Sequence, residues 1–509
     1  MYNRILSAAL IGMDVVPVRV EADVSDGLPQ FTMVGYLTSQ VREAEDRVRT
    51  SFRNAGFALP PKHITVNMSP ADILKSGSRF DLPIALTILA ADGILPPDSL
   101  GGIMAVGELS LNGDINAVTG VLPIAAKALE SGTRLLMVPA GNAREAAAAG
   151  GLRVVGVRTL HEAVHFLKTG ETPVSLTEEP EAPVLNHYGC DFADIRGQEA
   201  VKRAAVIAVS GFHNLLLIGP PGSGKTMLAE RIPTILPSLT PEESFEITKI
   251  YSIAGLLPKD SPVIGTRPFR HPHHTVSASA LAGGGRIPSP GEITLAHRGV
   301  LFLDEMPEFS RQSLEILRQP LEDREIVISR TSGSYRFPAN FLLLAAMNPC
   351  PCGYYPDMNR CSCQARDIER YKNRISRPLL DRIDICAECP PVAYADLTEN
   401  GEKRQTSASI REQVEEVRRL QEKRFHGSEI HFNSEIPASK ISLFCQTDAE
   451  ADETLRRAFE RLHLSARAYH RIIRVARTIA DLDGAELIGK THVMEAVHYR
   501  TIDGKYWRL

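Results

Sequence analysis

The sequence predicts an α/β fold built around a phosphate-binding loop, with an α+β domain ahead of it and an α-helical domain behind it. The first observation is Gly219-Pro220-Pro221-Gly222-Ser223-Gly224-Lys225-Thr226, which fits the pattern G-x-x-x-x-G-K-[ST] in full. It follows the apolar run 215–218, a buried parallel strand by composition, and precedes a helical start over 227–236. The second is a pair of further apolar runs, 299–303 ending on Asp304 and Glu305, and 341–347 ending on Asn348. The third is the first stretch of the chain, whose strand-like alternation and short helices make a separate unit.

The glycines let backbone N–H groups turn inward, and the helix start adds positive potential. Lys225 reaches the β/γ-phosphates and the Thr226 hydroxyl reaches Mg²⁺. At the end of the second strand, Asp304 holds the same Mg²⁺ through water, and Glu305 orients an attacking water, a Walker B pattern.

With 509 residues the chain has room for about two to four domains. Hydrophobic content of 43% and charged content of 23% suit a globular protein, and no apolar run approaches a membrane span. The opening Met1-Tyr2-Asn3-Arg4 is not a signal peptide, so the cytoplasm is the expected compartment. The net charge of −4 means that nucleic-acid binding would need local basic loops.

Residues 1–170 form the α+β unit. Strands are expected over 4–24 and 27–35 with turns at Gly12 and Gly27, helices over 39–55 and 81–91, and alternating strands and helices from 102 to 167. In order of elements, and in 77–85 and 107–113, this unit resembles the proteolytic domain of Lon proteases and similar domains of RadA-type and Mg-chelatase-like proteins. The resemblance implies a serine nucleophile with a lysine base. Asp81 stands at the serine position and Ala125 near the lysine position; Ser78 and Lys127 are off register. A carboxylate cannot replace an activated hydroxyl, so the domain is read as proteolytically dead. Its expected roles are oligomer assembly and contact with nucleic acid; the basic residues Arg42, Arg47, Arg49, Arg53, Lys62 and Lys75 permit that contact but read mainly as a solvated helix face. A linker is expected at 171–190, with three prolines and four glutamates over 171–183.

The core is expected over 191–395. Its opening 191–198 resembles the box ahead of the phosphate loop in AAA+ ATPases, which implies that Ile195 packs on adenine. The same resemblance gives Asn348 the sensor-1 role. It gives Arg382, with Arg377 second, the role of a finger reaching a neighbouring subunit's site. A local pair with Asp381 or Asp384 is the other reading of Arg382. In the C-terminal domain, 396–509, a helix over 465–482 carries a basic stripe of Arg467, Arg471, Arg474 and Arg477. Arg467 aligns with the sensor-2 arginine of related helicases, and the other three read as solvated. Helices over 409–425, 465–482 and 491–499 make a lid.

Two insertions carry more detail. The first holds Arg270-His271-Pro272-His273-His274-Thr275 and Gly283-Gly284-Gly285-Arg286, and reads as a pore or substrate loop rather than a histidine metal site. The second, 325–337, alternates and turns at Ser332-Gly333, a β-hairpin ahead of the sensor strand. Its Arg330, Tyr335 and Arg336 could grip a phosphate backbone or stack on a base, with Arg270 assisting. Cys350, Cys352, Cys361 and Cys363 make C-x-C-x₈-C-x-C, a candidate zinc site; Cys190, Cys386, Cys389 and Cys445 read as core.

With the phrases 270–275, 290–293, 347–353 and 378–382, the chain resembles the YifB/ComM family of Mg-chelatase-like AAA+ ATPases over nearly its whole length. The resemblance implies a homohexameric ring using ATP and Mg²⁺. It further implies translocation on single-stranded, forked or four-way-junction DNA, with branch migration in recombination of incoming DNA. A motor acting on a protein partner is the alternative, and a Lon-like protease the third reading.

Overall fold

The computed structural model describes residues 2–58, 61–171, 175–176, 189–258, 261–330, 333–392 and 405–507. At the N-terminus, Tyr2–Ile11 and Asp14–Ser25 pair antiparallel from Tyr2↔Asp23 to Ile11↔Asp14. Gly12 takes φ +63° in the turn between them, as the sequence predicts. They sit within an eight-stranded sheet. The helix Asp81–Ala91 packs against both strands, and all of its residues are buried. That explains why it has no polar face in the sequence.

The segment expected as a linker lies mostly outside the described residues. Its described part, Ser175–Leu176, pairs with Val155 and Val154 and so adds a strand to the sheet edge. Among the basic residues read as solvated, Lys75 is fully buried and Arg47 forms an ion pair of 2.6 Å with buried Asp81.

The core is a five-stranded parallel sheet in the order Phe269–Arg270, Val300–Leu303, Leu342–Met347, Leu215–Ile218, Ile385–Glu388. The three central strands are buried along their whole length, as strands covered on both faces must be. The hairpin Glu325–Arg330 with Gly333–Pro338 is present, with Arg330 opposite Gly333; the expected turn residue Ser332 lies outside the described residues. Ile326, Ile328, Tyr335 and Phe337 face the core. The ring of Tyr335 lies against Gly12 of the N-terminal unit, so this tyrosine is not free to stack on a base.

The C-terminal helices are Ser407–Arg424, Ala449–Leu462, Ala466–Leu482 and Lys490–Trp507, the last well beyond the expected 491–499. No helix among the described residues is long and apolar enough to cross a membrane. The core-facing part of the basic stripe is not solvated, while Arg467 stays exposed. Arg477 is 2% exposed and donates to Asp481 at 3.0 Å and to the Glu486 carbonyl at 2.7 Å, while Arg471 donates to the Ile383 carbonyl at 3.1 Å. A helix face that docks on the core buries much of the charge it carries, and the guanidiniums of Arg471 and Arg477 are satisfied by backbone carbonyls and carboxylates.

His213 sits at the seam of core and lid, fully buried, with Nε2 2.8 Å from the Thr478 hydroxyl. Burial pushes its pKa from the usual 6.5 down to about 4. The neutral form is the folded form. Its contribution is therefore complete above pH 6.5 and is lost as pH falls towards about 4. Between pH 7 and pH 5 the wild type is expected to lose about 2 kcal/mol of stability through this group, and His213→Gln to lose none of that portion. Denaturant unfolding of both proteins at the two pH values checks it.

Candidate functional site

The carboxyl ends of the parallel strands form one edge, where ligands bind in open α/β sheets. Strand Leu215–Ile218 runs directly into the phosphate loop, and the Gly219 N–H donates to the Met347 carbonyl at 3.2 Å. Gly222 and Gly224 take φ of +74° and +81°, the left-handed turns that aim successive N–H groups inward ahead of helix Lys225–Ile235. A Cβ on Gly219 would stand 2.3 Å from the Cys389 carbonyl, and one on Gly353 would stand 2.2 Å from Pro221 Cδ. The loop is thus wedged between the end of strand Ile385–Glu388 and the cysteine-bearing segment.

Lys225 Nζ donates to the Gly219 and Pro220 carbonyls at 2.8 and 2.9 Å and to Asn348 Oδ1 at 3.2 Å. Burial lowers its pKa, opposed by Cys389, Asp304 and Glu305. The Thr226 hydroxyl donates to Asp304 Oδ2 at 2.7 Å, and Asp304 Oδ1 accepts the Glu305 N–H at 2.9 Å. A hydroxyl and a carboxylate meeting at a helix N-terminus are the hard-oxygen donors that Mg²⁺ takes, so these residues fit the ion. Glu305 is in the left-handed region at φ +50° and its side chain is 58% exposed, turned outward from the strand end.

The site thus brings together Lys225, Thr226, Asp304, Glu305 and Asn348. Ile195 is packed in the core at 4% exposure. Beside the loop is a cleft of about 710 Å³ lined by Gly219, Pro220, Tyr354, Pro390 and Tyr499. Arg382 and Arg467 do not reach the phosphate loop of their own chain. Both bind Glu322 on the short helix Pro320–Asp323, Arg382 through Oε2 and Arg467 through Oε1 at 2.6 Å. The acids expected to pair with Arg382 are taken by others, Asp381 by Arg500 and Asp384 by Arg471.

Other expectations need correction. Arg270 makes a two-pronged bond to Glu292, at 2.7 and 2.9 Å, and is not an open cation. In the first insertion, His274 Nδ1 lies 4.0 Å from a carboxylate oxygen of Glu305. The loop folds back onto the strand end, which sequence distance conceals. His271 packs on the Phe302 ring at 4.6 Å and His273 bonds Thr275. On the hairpin, Arg336 pairs with Glu325 at 3.0 Å, while the Arg330 guanidinium leans on the Gly285 carbonyl at 3.4 Å. Cys190 is half-buried rather than core; Cys386, Cys389 and Cys445 are buried as expected.

The Sγ atoms of Cys350, Cys352, Cys361 and Cys363 all lie within 4.8 Å of one another, with Cys350 3.4 Å from Cys352 and 3.8 Å from Cys361. Four sulfurs about 2.3 Å from a central zinc stand about 3.8 Å apart, so the cluster fits the ion. Backbone N–H groups of Cys352 and Tyr355 donate to Cys363 and Cys350, the kind of bond that supports thiolates.

Two contacts had different legibility. Gln198 Nε2 bonds the carbonyls of Ser223 and Pro390 at 2.7 and 2.9 Å, pinning the loop from outside; its place at a helix start after Gly197 was a readable signal. Glu322 had none, because its partners lie 60 and 145 residues away.

Three family models match: "Magnesium chelatase, subunit ChlI" over 191–397, "Subunit ChlI of Mg-chelatase" over 20–142, and "Magnesium chelatase, subunit ChlI C-terminal" over 404–500. Competence protein ComM of Haemophilus influenzae is 44% identical over 98% of this chain and 97% of its own. YifB of Escherichia coli is 41% identical over 97% and 96%. The magnesium-chelatase 38 kDa subunit of Cereibacter sphaeroides is 27% identical over 31% of this chain and 52% of its own. Similarity to ComM and YifB over nearly the whole chain, joined to a phosphate loop and acidic strand end that meet in space, makes this chain a member of the ComM/YifB family of Mg-chelatase-like AAA+ ATPases, enzymes that hydrolyse ATP.

Proposed function

We propose that the protein is a ring-forming, ATP-driven DNA motor of the cytoplasm, acting in branch migration during recombination or natural transformation. The observation that carries the ring is the place of Arg382 and Arg467. Both sit on Glu322, away from their own phosphate loop, where a neighbouring subunit could receive them. The observation favouring DNA is the projecting tip made by the two insertions. Arg330 of the hairpin rests on Gly285, one residue from Arg286, and Arg336 is 73% exposed on the same ribbon.

In this reading Lys225 moves from the carbonyls of Gly219 and Pro220 onto the β/γ-phosphates. Thr226 and Asp304 hold Mg²⁺, which supplies charge neutralisation at the phosphates. Glu305 orients the attacking water and Asn348 senses the γ-phosphate. Arg382 and Arg467 stabilise charge in the neighbour's site, a contribution worth about 10³–10⁵ in rate for a finger. Ile195 supports the adenine side from the core. The domains are taken as 1–170, 191–395 and 396–509. The first is a Lon-like fold without proteolytic chemistry: Asp81 is held by Arg47, Ser78 bonds Glu108, and Lys127 pairs with Glu130 at 2.9 Å. Cys350, Cys352, Cys361 and Cys363 hold a structural zinc that stiffens the segment packed on Pro221.

Lys225→Ala is expected to lower ATP turnover by at least about 100-fold, and Glu305→Gln to do the same while retaining nucleotide binding. Turnover assays beside fluorescent-nucleotide titration check both. Four-way-junction DNA is expected to stimulate the wild type, and Arg330→Ala with Arg336→Ala to remove that stimulation with basal turnover intact. Turnover indifferent to DNA in both proteins would point instead to a protein client. Metal analysis of the purified protein should find about one zinc per chain, lost in Cys361→Ser together with several degrees of Tm.

A further inference from the structure

The seam between core and lid holds a cluster of cations of which Arg382 alone has a part in the proposed ATP hydrolysis. A cavity of about 70 Å³ is lined by Arg324, Arg382, Arg471 and Arg474, with Asp384 as the one carboxylate among the described residues of its wall. Three of these guanidiniums have an acid. Arg324 lies 3.4 Å from Glu435, Arg382 binds Glu322, and Arg471 Nε stands 3.7 Å from Asp384. Arg474 has neither a hydrogen-bond nor an ion-pair partner among the described residues. Its Nε is buried, as is the unpartnered Nε of Arg382, a residue only 9% exposed.

Arg474 is half-buried, and a guanidinium with a buried, unspent donor is costly. Water can fill its hydrogen bonds but cannot balance its charge. Asp384 is already engaged, accepting the Asn214 N–H at 3.0 Å. His213, 3.9 Å from Asp384, carries no compensating charge in its neutral form. The pKa of Arg474 is lowered by burial first, with Arg324 adding to it and Asp384 opposing. What fits is a compact anion with several acceptor oxygens. The cavity is too small for a nucleoside and admits a few waters or one tetrahedral oxyanion.

We propose that this cavity binds a single phosphate group, either free orthophosphate or the terminal phosphate of a small monoester, between Arg474, Arg471 and Arg382. The bound oxyanion ties together three parts of the chain. Arg382 lies in the loop that offers the finger, Arg471 and Arg474 belong to lid helix Ala466–Leu482, and Arg324 immediately precedes the hairpin strand Glu325–Arg330. The site does not depend on the ring or on DNA.

The test uses full-length protein saturated with Mg-ADP, so that the phosphate loop is filled, and follows thermal unfolding as orthophosphate replaces chloride at constant ionic strength. Orthophosphate is expected to raise the wild-type Tm saturably by roughly 2–4 °C. Arg474→Gln should lose that response and, without phosphate, unfold no lower than the wild type, since it removes a half-buried charge that has no acid partner among the described residues. Arg474→Lys keeps the charge without the planar fork and should bind phosphate at least about five-fold more weakly. A wild type that does not respond, or a Lys variant that responds as the wild type does, overturns the site. A response confined to an oligonucleotide also overturns it, by making the arginines a nucleic-acid contact. Glycerol 3-phosphate separates the two sources: a response equal to that of orthophosphate assigns the site to monoesters, and a weaker one assigns it to the free ion.

Discussion

The nucleotide edge depends on the register of one strand. Leu342–Met347 bonds on one side to the strand entering the phosphate loop, with Met347 opposite Ile218, and on the other to the strand ending at Asp304, with Ala345 opposite Leu303. That double pairing puts Asn348 beside Lys225 and Asp304 beside Thr226. In a parallel sheet a slip of one residue would turn every side chain to the other face. Complete burial of all three strands forbids such a slip.

Helix Pro241–Ala254 ties this edge to the rest of the chain. Its Ser252 hydroxyl donates to Glu145 of the N-terminal unit at 2.5 Å, and the Gly120 N–H donates to the Ser252 carbonyl at 3.0 Å. Glu243 binds Arg267 at 2.6 Å and Arg418 of the lid at 3.4 Å, all three buried. Glu246 holds His297 and Arg298, which precede the strand that ends at Asp304. Buried ion pairs of this kind add little net stability and set register instead. The helix therefore holds lid, N-terminal unit and strand base in one fixed relation, and the arginine-lined cavity lies on the lid side of that arrangement.

Much of this was legible in the chain because the chemistry is local. A phosphate loop must be contiguous, since its N–H groups come from successive residues, and 219–226 announces itself for that reason. Asp304, Glu305 and Asn348 end apolar runs whose burial the composition already implies. The four-cysteine cluster was visible as spacing, although only the fold shows the sulfurs converging. The arginines misled for the opposite reason. A guanidinium on a helix reads as solvated unless its partner is known. The partners of Arg382 and Arg467 are on a helix far back in the chain, and Arg477 spends two of its bonds on backbone carbonyls.

The sequence by itself determined the core architecture, the phosphate chemistry and the family, because each rests on contiguous residues or on short periodic patterns. Only the tertiary structure decided which cations are open. It paired Arg270 with Glu292, buried Tyr335 against Gly12, joined Arg382 and Arg467 on Glu322, and left Arg474 without a side-chain partner among the described residues, beside a small cavity. Whether a charged or aromatic side chain is spent depends on groups brought near by folding, and pairing between distant residues leaves no trace in local pattern.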